Sequence, residues 1–295
     1  MESHKYHIPV LAEQVLQLAN ETQHTNSFVD GTFGRGGHTK LLIDQCNFKK
    51  IHVFDKDPEA IAYAEKIKES LPQNIDFNIH HHSFKDLDTC LGTSKTDVFL
   101  LDLGVASTQL DQAERGFSFN QPGPLDMRMD NSKGSTAAQL IAQSNEIELA
   151  NIIYTYGEEI QSRKISKAIN SAKRQSPIND TITLANIVES VVPRSGKNHP
   201  ATKTFQALRI AVNRELEDIE SLLENVLDNL NPMGRLLIIS FHSLEDRIVK
   251  QKFKKWEKSD LGLNLTKKCI TADQSEIKLN KRSRSAKLRC FEKAS

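Results

Sequence analysis

The sequence is poor in cysteine, and none of its cysteines is placed to form a metal or disulfide motif. Its 295 residues contain four, Cys46, Cys90, Cys269 and Cys290, which lie far apart with no C-x-x-C pair. This spacing gives no zinc knuckle and no disulfide framework. We therefore expect all four to be reduced thiols.

Long apolar runs and a surplus of one charge sign are also missing. No stretch approaches the ~20 apolar residues of a membrane helix, and Met1–Tyr6 does not have the pattern of a signal peptide. We therefore expect a cytoplasmic protein with no membrane partner. Because 39 Lys and Arg stand against 38 Asp and Glu, a nucleic-acid partner must be recognised by local basic patches rather than by net charge.

The sequence does contain a glycine-rich turn between an apolar run and a helical pattern, Ser27–Leu42. Its glycines are Gly31, Gly34, Gly36 and Gly37. The phosphate motifs G-x-G-x-x-G and G-x-x-x-x-G-K-[ST] do not match. Asp30 would repel a pyrophosphate, so S-adenosylmethionine, with its amino group and sulfonium, is the better ligand. A glycine-rich surface turn without a ligand is the alternative.

Acidic residues are expected at the ends of two further strands. The strand pattern Lys50–Asp57 ends in two acids, and an acid at the tip of a second strand bonds the ribose of an adenosine ligand. We assign this role to Asp55, whereas Asp57 precedes a proline and predicts a helix N-cap. Asp97–Gly104 reads as a buried parallel strand. It ends in Asp102 at the edge where α/β sheets bind ligands.

A third strand, Ile75–His80, lies between these two. Phe84 follows it, either beside an adenine ring or packed under the next helix. The run of histidines from His80 to His82 does not favour a metal site, because adjacent strand residues point to opposite faces. Four β-α units in order predict a Rossmann-like α/β sheet.

The β-α alternation stops at Val105 and resumes near residue 205. The intervening helical stretches are Thr136–Gln143, Glu146–Tyr156, Glu159–Arg174 and Asp180–Val192. After them we predict a long helix, Ala201–Leu230, a strand, Arg235–Phe241, and a helix from Ser243 through Trp256. The sequence thus predicts one sheet domain, residues 1–104 and 205–295, interrupted by a helical insertion, residues 105–204, that recognises the substrate.

The insertion also carries a local excess of basic residues that could face phosphates. They are Arg163, Lys164, Lys167, Lys173, Arg174, Arg194, Lys197, His199 and Lys203. Solvated helix faces are the alternative for each of them.

Eight motifs in order, from His7 to about Arg289, resemble the RsmH family, also called MraW. They are H-I-P-V-L, V-D-G-T-F-G-R-G-G-H, F-D-K-D-P, L-L-D-L-G-V, E-R-G-F-S-F, G-P-L-D-M-R-M-D, H-P-A-T-K-T-F-Q-A-L-R-I-A-V-N-R-E-L and I-I-S-F-H-S-L-E-D-R-I-V-K. The resemblance implies a class I methyltransferase sheet with an inserted helical domain and S-adenosyl-L-methionine as methyl donor. It implies transfer to N4 of a cytidine in the decoding region of 16S ribosomal RNA, free or within the small ribosomal subunit. Monomer and homodimer both stay open.

The resemblance also implies which residues contact the methyl donor. Carried over motif by motif, they are Gly36, Gly37, His38, Asp55, Phe84, Asp102 and Gln109. Two positions depart from the usual family pattern. Ala106 replaces a serine, and Met233 stands where a glycine is common.

Methyl transfer to an exocyclic amine requires that the nitrogen be held near the methyl carbon and that an N–H find an acceptor. The motif [DNS]-P-P-[YF], which supplies acceptors in amino methyltransferases of DNA, is replaced here by D-L-G-V. We hypothesise that Asp102, or a backbone carbonyl near Leu103–Gly104, accepts that N–H. No Pro-Cys pair supports C5-cytosine chemistry.

Two other functions compete with this interpretation. A nicotinamide dehydrogenase is disfavoured by the glycine spacing. An RNA-binding module on a methyltransferase scaffold without turnover is disfavoured by the presence of both Asp55 and Asp102.

A base acted on by such an enzyme must leave its stack and enter a pocket. Candidate stacking residues are Phe117 and Phe119, candidate phosphate or base contacts are Arg115 and Arg128, and His242 is expected to line the substrate pocket. Ordinary packing is the alternative for the four loop residues.

Overall fold

The computed structural model describes residues 9–194 and 199–295. His7, where the first family motif begins, and the predicted basic residue Lys197 therefore lie outside the described residues. The chain divides into two compact units after Gly104 and after Glu215. We call Val105–Glu215 the helical unit and the remaining residues the sheet unit. The helical unit begins where the predicted insertion begins and extends beyond residue 204.

The described strands form a single seven-stranded sheet in the order β3-β2-β1-β4-β5-β7-β6. They are β1 (Ser27–Asp30), β2 (Lys50–Phe54), β3 (Asp76–His80), β4 (Thr96–Asp102), β5 (Leu230–Ser240), β6 (Gly262–Asn264) and β7 (Lys287–Lys293). The first five run parallel, and β7 lies antiparallel to both β5 and β6. The predicted Rossmann-like α/β class is confirmed.

Helices flank the sheet and make up the second unit. In chain order they are α1 (Ala12–Asn20), α2 (Gly37–Gln45), α3 (Pro58–Ser70), α4 (Leu87–Leu91), α5 (Ser107–Asp111), α6 (Ala137–Gln143), α7 (Glu146–Gly157), α8 (Ser162–Lys173), α9 (Thr181–Val191), α10 (Thr202–Asn213), α11 (Glu215–Asn225), α12 (Ser243–Lys258) and α13 (Gln274–Leu279). Within residues 9–194 and 199–295, none of them combines the length and the apolar character that a membrane span needs.

Each unit has its own apolar core. In the sheet unit, Val98 to Leu101 of β4 are fully buried, as expected for a parallel strand covered on both faces. In the helical unit, α8 and α9 each have an apolar stripe at helical spacing, and these stripes are buried at Ile165, Ile169, Leu184 and Val188. Burial of one stripe per helix accounts for the packing of this unit.

The prediction of one long helix over Ala201–Leu230 is wrong. The apolar spacing continues across this stretch, but Arg214 adopts a φ of 53°. A residue in this left-handed region ends the helical hydrogen-bond pattern. The result is two helices, α10 and α11, followed by a short 3₁₀ turn, Val226–Asn229.

The strand predicted from Arg235 begins five positions earlier, at Leu230, and the added segment contains an irregularity. Its pairing with β4 shifts register between Thr96 and Val98. Met233 lies in this segment with a φ of 61°. A positive φ favours glycine, so the usual glycine at this position has a conformational reason, and Met233 adopts the same conformation at a steric cost.

Candidate active site

Backbone hydrogen bonds align the carboxyl ends of β1, β2 and β4 with one another. Beyond β1, the Gly31 N–H donates to the Leu100 carbonyl (2.9 Å), and the Phe33 N–H donates to the Phe54 carbonyl (3.0 Å). Parallel strands place their carboxyl ends at one edge of the sheet. The glycine turn, the end of β2 and the end of β4 therefore meet at that edge.

The glycine turn adopts a conformation that side chains resist. Gly34 and Gly36 have φ values of 56° and 65°. A Cβ added at Gly36 would lie 2.7 Å from the Phe33 ring and 3.0 Å from Ile67. Gly37 and His38 then begin α2. The bare backbone of this turn can approach a ligand closely.

Asp55 joins the glycine turn to the end of β2. Its Oδ2 accepts a hydrogen bond from the Gly34 N–H (2.7 Å), and its Oδ1 accepts one from the Asp57 N–H (2.8 Å). Burial raises the pKa of Asp55 to about 6, although these two bonds favour the carboxylate. A carboxylate offers about four acceptor positions, so Asp55 keeps capacity for the hydroxyls of a ribose.

The prediction that Asp57 caps a helix is confirmed. Its Oδ1 accepts a hydrogen bond from the Glu59 N–H (3.0 Å) at the start of α3. Asp57 therefore caps α3, whereas Asp55 binds the glycine turn at the edge of the sheet.

A third acid, Asp30, lies buried at the end of β1. It accepts hydrogen bonds from the Thr39 hydroxyl (2.5 Å) and the Thr32 N–H (3.1 Å). Burial raises its pKa to about 6, and the nearby Asp55 adds to the rise. The Asp30 carboxylate thus holds the first turn of α2 against β1 and contributes negative charge to the edge.

Asp102, at the end of β4, is the least satisfied of these acids. Its Oδ2 lies 3.7 Å from His38 Nε2, too long for a hydrogen bond. Its Oδ1 is buried and has no hydrogen-bond partner among the described residues. Burial, reinforced by Asp30 and Glu245, raises the pKa of Asp102 to about 8. An unpaired buried carboxyl is costly, so this atom is the strongest candidate to accept a ligand N–H or face a cation.

The chemistry of this edge fits S-adenosylmethionine better than a pyrophosphate. Three carboxyl groups with raised pKa values surround the glycine turn. Arg35, the cation within the turn, is directed towards Glu59 (3.8 Å) and over the Tyr63 ring (5.2 Å). An amino group and a sulfonium would offset the negative charge that remains.

Phe84 and His242 also lie in the sheet unit. Phe84 is buried in the 3₁₀ turn Phe84–Asp86 that follows β3. His242 follows β5, next to β4, and its Nδ1 accepts a hydrogen bond from the Glu245 N–H (3.4 Å) as the N-cap of α12. Both residues stand beyond the carboxyl ends of parallel strands. Their roles towards ligands stay predictions.

Gln109, predicted to contact the donor, belongs to the helical unit. It is buried, and its Oε1 accepts a hydrogen bond from the Ala106 N–H (2.9 Å) at the start of α5. The alanine at position 106 cannot cap α5 with its own side chain, so Gln109 contributes a side-chain bond there.

The four predicted substrate residues of the helical unit all make internal contacts. Arg115 is buried and donates to the Met129 carbonyl (2.8 Å). Arg128 pairs with both carboxylate oxygens of Asp126 at 2.7 Å. Phe117 is buried in the core of the unit, and the Phe119 ring lies 4.7 Å from those of His199 and Phe205. All of these contacts lie within the helical unit, and substrate roles for these residues stay predictions.

Among the predicted basic residues of the insertion, several already have partners. Arg194 and His199 lie 2.7 Å and 3.6 Å from Glu189. Lys173 donates to the Ser144 carbonyl (2.5 Å) and Lys203 to the Glu158 carbonyl (3.0 Å), so both are engaged with backbone. A second group lies exposed on α8, which has no acidic residue: Arg163, Lys164 and Lys167. We call these three residues the basic face of α8.

Sequence reasoning missed Thr32, Thr39 and Glu245 as site residues. Thr32 stands two positions after Asp30, and this spacing is typical of an aspartate bonding a nearby backbone N–H. Glu245 stands three positions after His242, at the third residue of α12, where a glutamate often bonds back to the N-cap. Its Oε2 accepts hydrogen bonds from the N–H groups of Phe241 (2.8 Å) and His242 (3.3 Å).

Solved structures that align with this chain at low identity include two methyltransferases. An rRNA methylase from Streptococcus thermophilus aligns with 98% of this chain and 99% of its own, at 12% identity and a TM-score of 0.45. The N-methyltransferase NodS from Bradyrhizobium japonicum, in complex with S-adenosyl-L-homocysteine, aligns with 96% of this chain and 86% of its own, at 8% identity and a TM-score of 0.44.

Much closer similarity comes from sequence. A protein from Xanthomonas euvesicatoria named ribosomal RNA small subunit methyltransferase H is 46% identical over 302 residues, which cover 97% of this chain and 88% of that protein. A protein of the same name from Acinetobacter baylyi is 46% identical over 305 residues, with coverages of 97% and 99%. The model of the MraW methylase family matches residues 4–294. The chain therefore belongs to the MraW methylase family.

Proposed function

We propose that this protein transfers a methyl group from S-adenosyl-L-methionine to the N4 amine of a cytidine in 16S ribosomal RNA, in the cytoplasm. The observation that carries the proposal is the buried Asp102 Oδ1, which lacks a hydrogen-bond partner among the described residues. It belongs to the same sheet edge as Asp55 and the glycine turn. Family membership and the names of the two relatives support the substrate class.

Five residues of the sheet unit would hold the methyl donor. Gly36 and Gly37 would let it approach the backbone, Asp55 would bond the ribose hydroxyls, and Phe84 would pack against the adenine. The Asp102 carboxylate would face its cationic end. When bound, this cofactor supplies an electrophilic methyl group on a sulfonium.

Asp102 is also proposed to hold the target amine. The lone pair of a cytosine N4 is delocalised into the ring, so an acceptor for one N–H helps to turn it towards the methyl carbon. With a pKa of about 8, the ligand-free carboxyl is largely protonated at neutral pH. A nearby cation favours the ionised form, so donor binding would prepare Asp102 Oδ1 to accept that N–H.

The RNA is proposed to meet the helical unit through the basic face of α8. Arg163 and Lys164 lie in the first turn of α8, where the helix dipole disfavours cations. Phosphate groups would offset that cost. His242 of the sheet unit keeps its predicted substrate role, and so do Phe117, Phe119, Arg115 and Arg128 of the helical unit.

Methyl transfer itself is the direct test. The protein would be incubated with donor carrying a tritiated methyl group and with small ribosomal subunits from cells lacking this protein. Nuclease digestion and mass spectrometry should place the label in N4-methylcytidine. Label on carbon 5, or RNA binding without any transfer, would contradict the proposal, and the latter would support a binding module without turnover.

The role of Asp102 is tested by Asp102→Asn, with the exposed Asp44→Asn as matched control. We expect the rate of methyl transfer to fall at least about a hundredfold in the Asp102 variant, while S-adenosylhomocysteine still binds. The control should keep both properties. Retained turnover in Asp102→Asn would contradict a role for the Asp102 carboxylate.

A further inference from the structure

One buried carboxylate of the sheet unit lies outside the donor contacts described above. Asp218, on α11, is only 3% exposed. Its Oδ2 accepts a hydrogen bond from the Ser83 hydroxyl (2.8 Å) and lies 2.5 Å from Lys56 Nζ. Its Oδ1 lies 3.3 Å from Lys85 Nζ. A buried charge requires such partners, and here they come from two different loops.

The partners of this carboxylate are sequence neighbours of the two residues assigned to adenosine. Lys56 directly follows Asp55 at the end of β2, and Ser83 and Lys85 flank Phe84 after β3. One carboxylate thus spans the ends of two adjacent strands.

Contacts within and between the two loops add to this arrangement. The Lys85 N–H donates to the Ser83 hydroxyl (3.4 Å) at the start of the 3₁₀ turn. The His81 ring Nε2 lies 3.0 Å from the Lys56 carbonyl oxygen. His81 is exposed, whereas Asp218 is buried. Because solvent screens exposed contacts, Asp218 is the stronger link between the loops.

We propose that Asp218 is a positioning residue for the adenosine end of the methyl donor. By binding both loops it fixes the Asp55 carboxylate relative to the Phe84 ring. The inference rests on the proposed function, since Asp55 and Phe84 meet adenosine only if the donor binds at this edge. Asp218 touches no reacting atom, so its loss acts on donor affinity and leaves the chemical step unchanged.

The test is Asp218→Asn, because asparagine fills the same volume without a charge to pair with two ammonium groups. The Kd values for S-adenosylhomocysteine and for 5′-methylthioadenosine, which lacks the amino-acid end, should rise by the same factor, about tenfold. The KM for S-adenosylmethionine should rise by a similar factor, and kcat at saturating donor should stay within about twofold of the wild-type value. Glu220→Gln, on the exposed side of α11, should change none of these values.

Several outcomes would overturn the inference. The first is an Asp218→Asn protein that folds and binds both ligands within about twofold of wild type. The others are a fall in kcat with KM unchanged, and an equal loss of ligand affinity in Glu220→Gln.

If Asp218→Asn does not fold, Lys56→Met carries the test, since the Lys56 side chain is 23% exposed. It should weaken both ligands about threefold, and unchanged affinity would overturn the inference. Wild-type protein that binds no S-adenosylhomocysteine would contradict the proposed function instead.

Discussion

At the scale of single residues, the raised pKa values at the strand edge predict that donor binding releases protons. Burial holds the pKa of Asp102 at about 8 and that of Asp30 at about 6. A bound cation favours their ionised forms, so at pH ~7 binding should release up to about one proton, mostly from Asp102. Calorimetry in buffers of different ionisation enthalpy measures this number.

The number of protons released should depend on the charge of the ligand and on Asp102. S-adenosylhomocysteine has no sulfonium charge and should release fewer protons than S-adenosylmethionine. Asp102→Asn should release fewer with either ligand. Equal release from both ligands, or proton uptake, would contradict the electrostatic account of the site.

The same carboxyl should lower the stability of the ligand-free protein as pH rises. The pKa of Asp102 is raised from an ordinary 3.8 to about 8, so the folded state binds its proton more tightly than the unfolded state. Its contribution to stability is fully present below pH ~4 and is lost as pH rises through about 8. The side chain of Asp102→Asn cannot ionise, so this variant escapes that loss. The Tm of the variant minus that of wild type should therefore increase by at least about 2 °C between pH ~5 and pH ~8.5. A difference that is constant with pH would show that Asp102 is already paired in the folded protein.

Gly36 tests the close approach of backbone and donor. Gly36→Ala combines a left-handed φ of 65° with contacts to Phe33 and Ile67, so it should lower Tm and weaken S-adenosylhomocysteine binding at least about tenfold. Gly92→Ala has a similar φ, 59°, but nothing within 4 Å of the new Cβ. The ψ of Gly92 is −120°, outside the left-handed helical region, so Gly92→Ala should cost backbone strain alone, about 1–3 kcal/mol, with no loss of affinity. Equal binding by both variants would argue against a donor lying on this turn.

At the scale of helices and strands, features that depend on neighbours in sequence were predictable and features that depend on distant partners were not. The N-cap at Asp57 and the apolar stripes of α8 and α9 follow from local spacing. The break at Arg214 does not, because the apolar pattern continues through it. Asp218 could not be found either, since its partner Ser83 lies 135 positions away.

The basic face of α8 gives a prediction at this scale. Replacing Arg163, Lys164 and Lys167 by glutamine should weaken binding to small-subunit RNA and reduce the slope of log K against log salt by about 2. A matched control removes three exposed lysines of the sheet unit, at positions 49, 66 and 68. Donor affinity should be unchanged in both variants. An unchanged salt slope in the α8 variant would place the RNA contact on another surface.

At the scale of the whole molecule, the order of the strands assembles the site. The glycine turn, Asp55 and Asp102 are separated by tens of residues, and the order β2-β1-β4 makes their strands neighbours. Four β-α units in the sequence made this arrangement predictable. The exact hydrogen bonds were not predictable, because Asp55 pairs with Gly34 across 21 positions only once the sheet has formed.

The most direct test of the central claim is a crystal structure of this protein with S-adenosylhomocysteine bound. We predict that the ligand lies along the carboxyl ends of β1, β2 and β4, with its ribose on Asp55, its adenine beside Phe84 and its amino-acid end near Gly36 and Asp102. Ligand density at any other place, or at this edge without contacts to Asp55 and Asp102, would contradict the account.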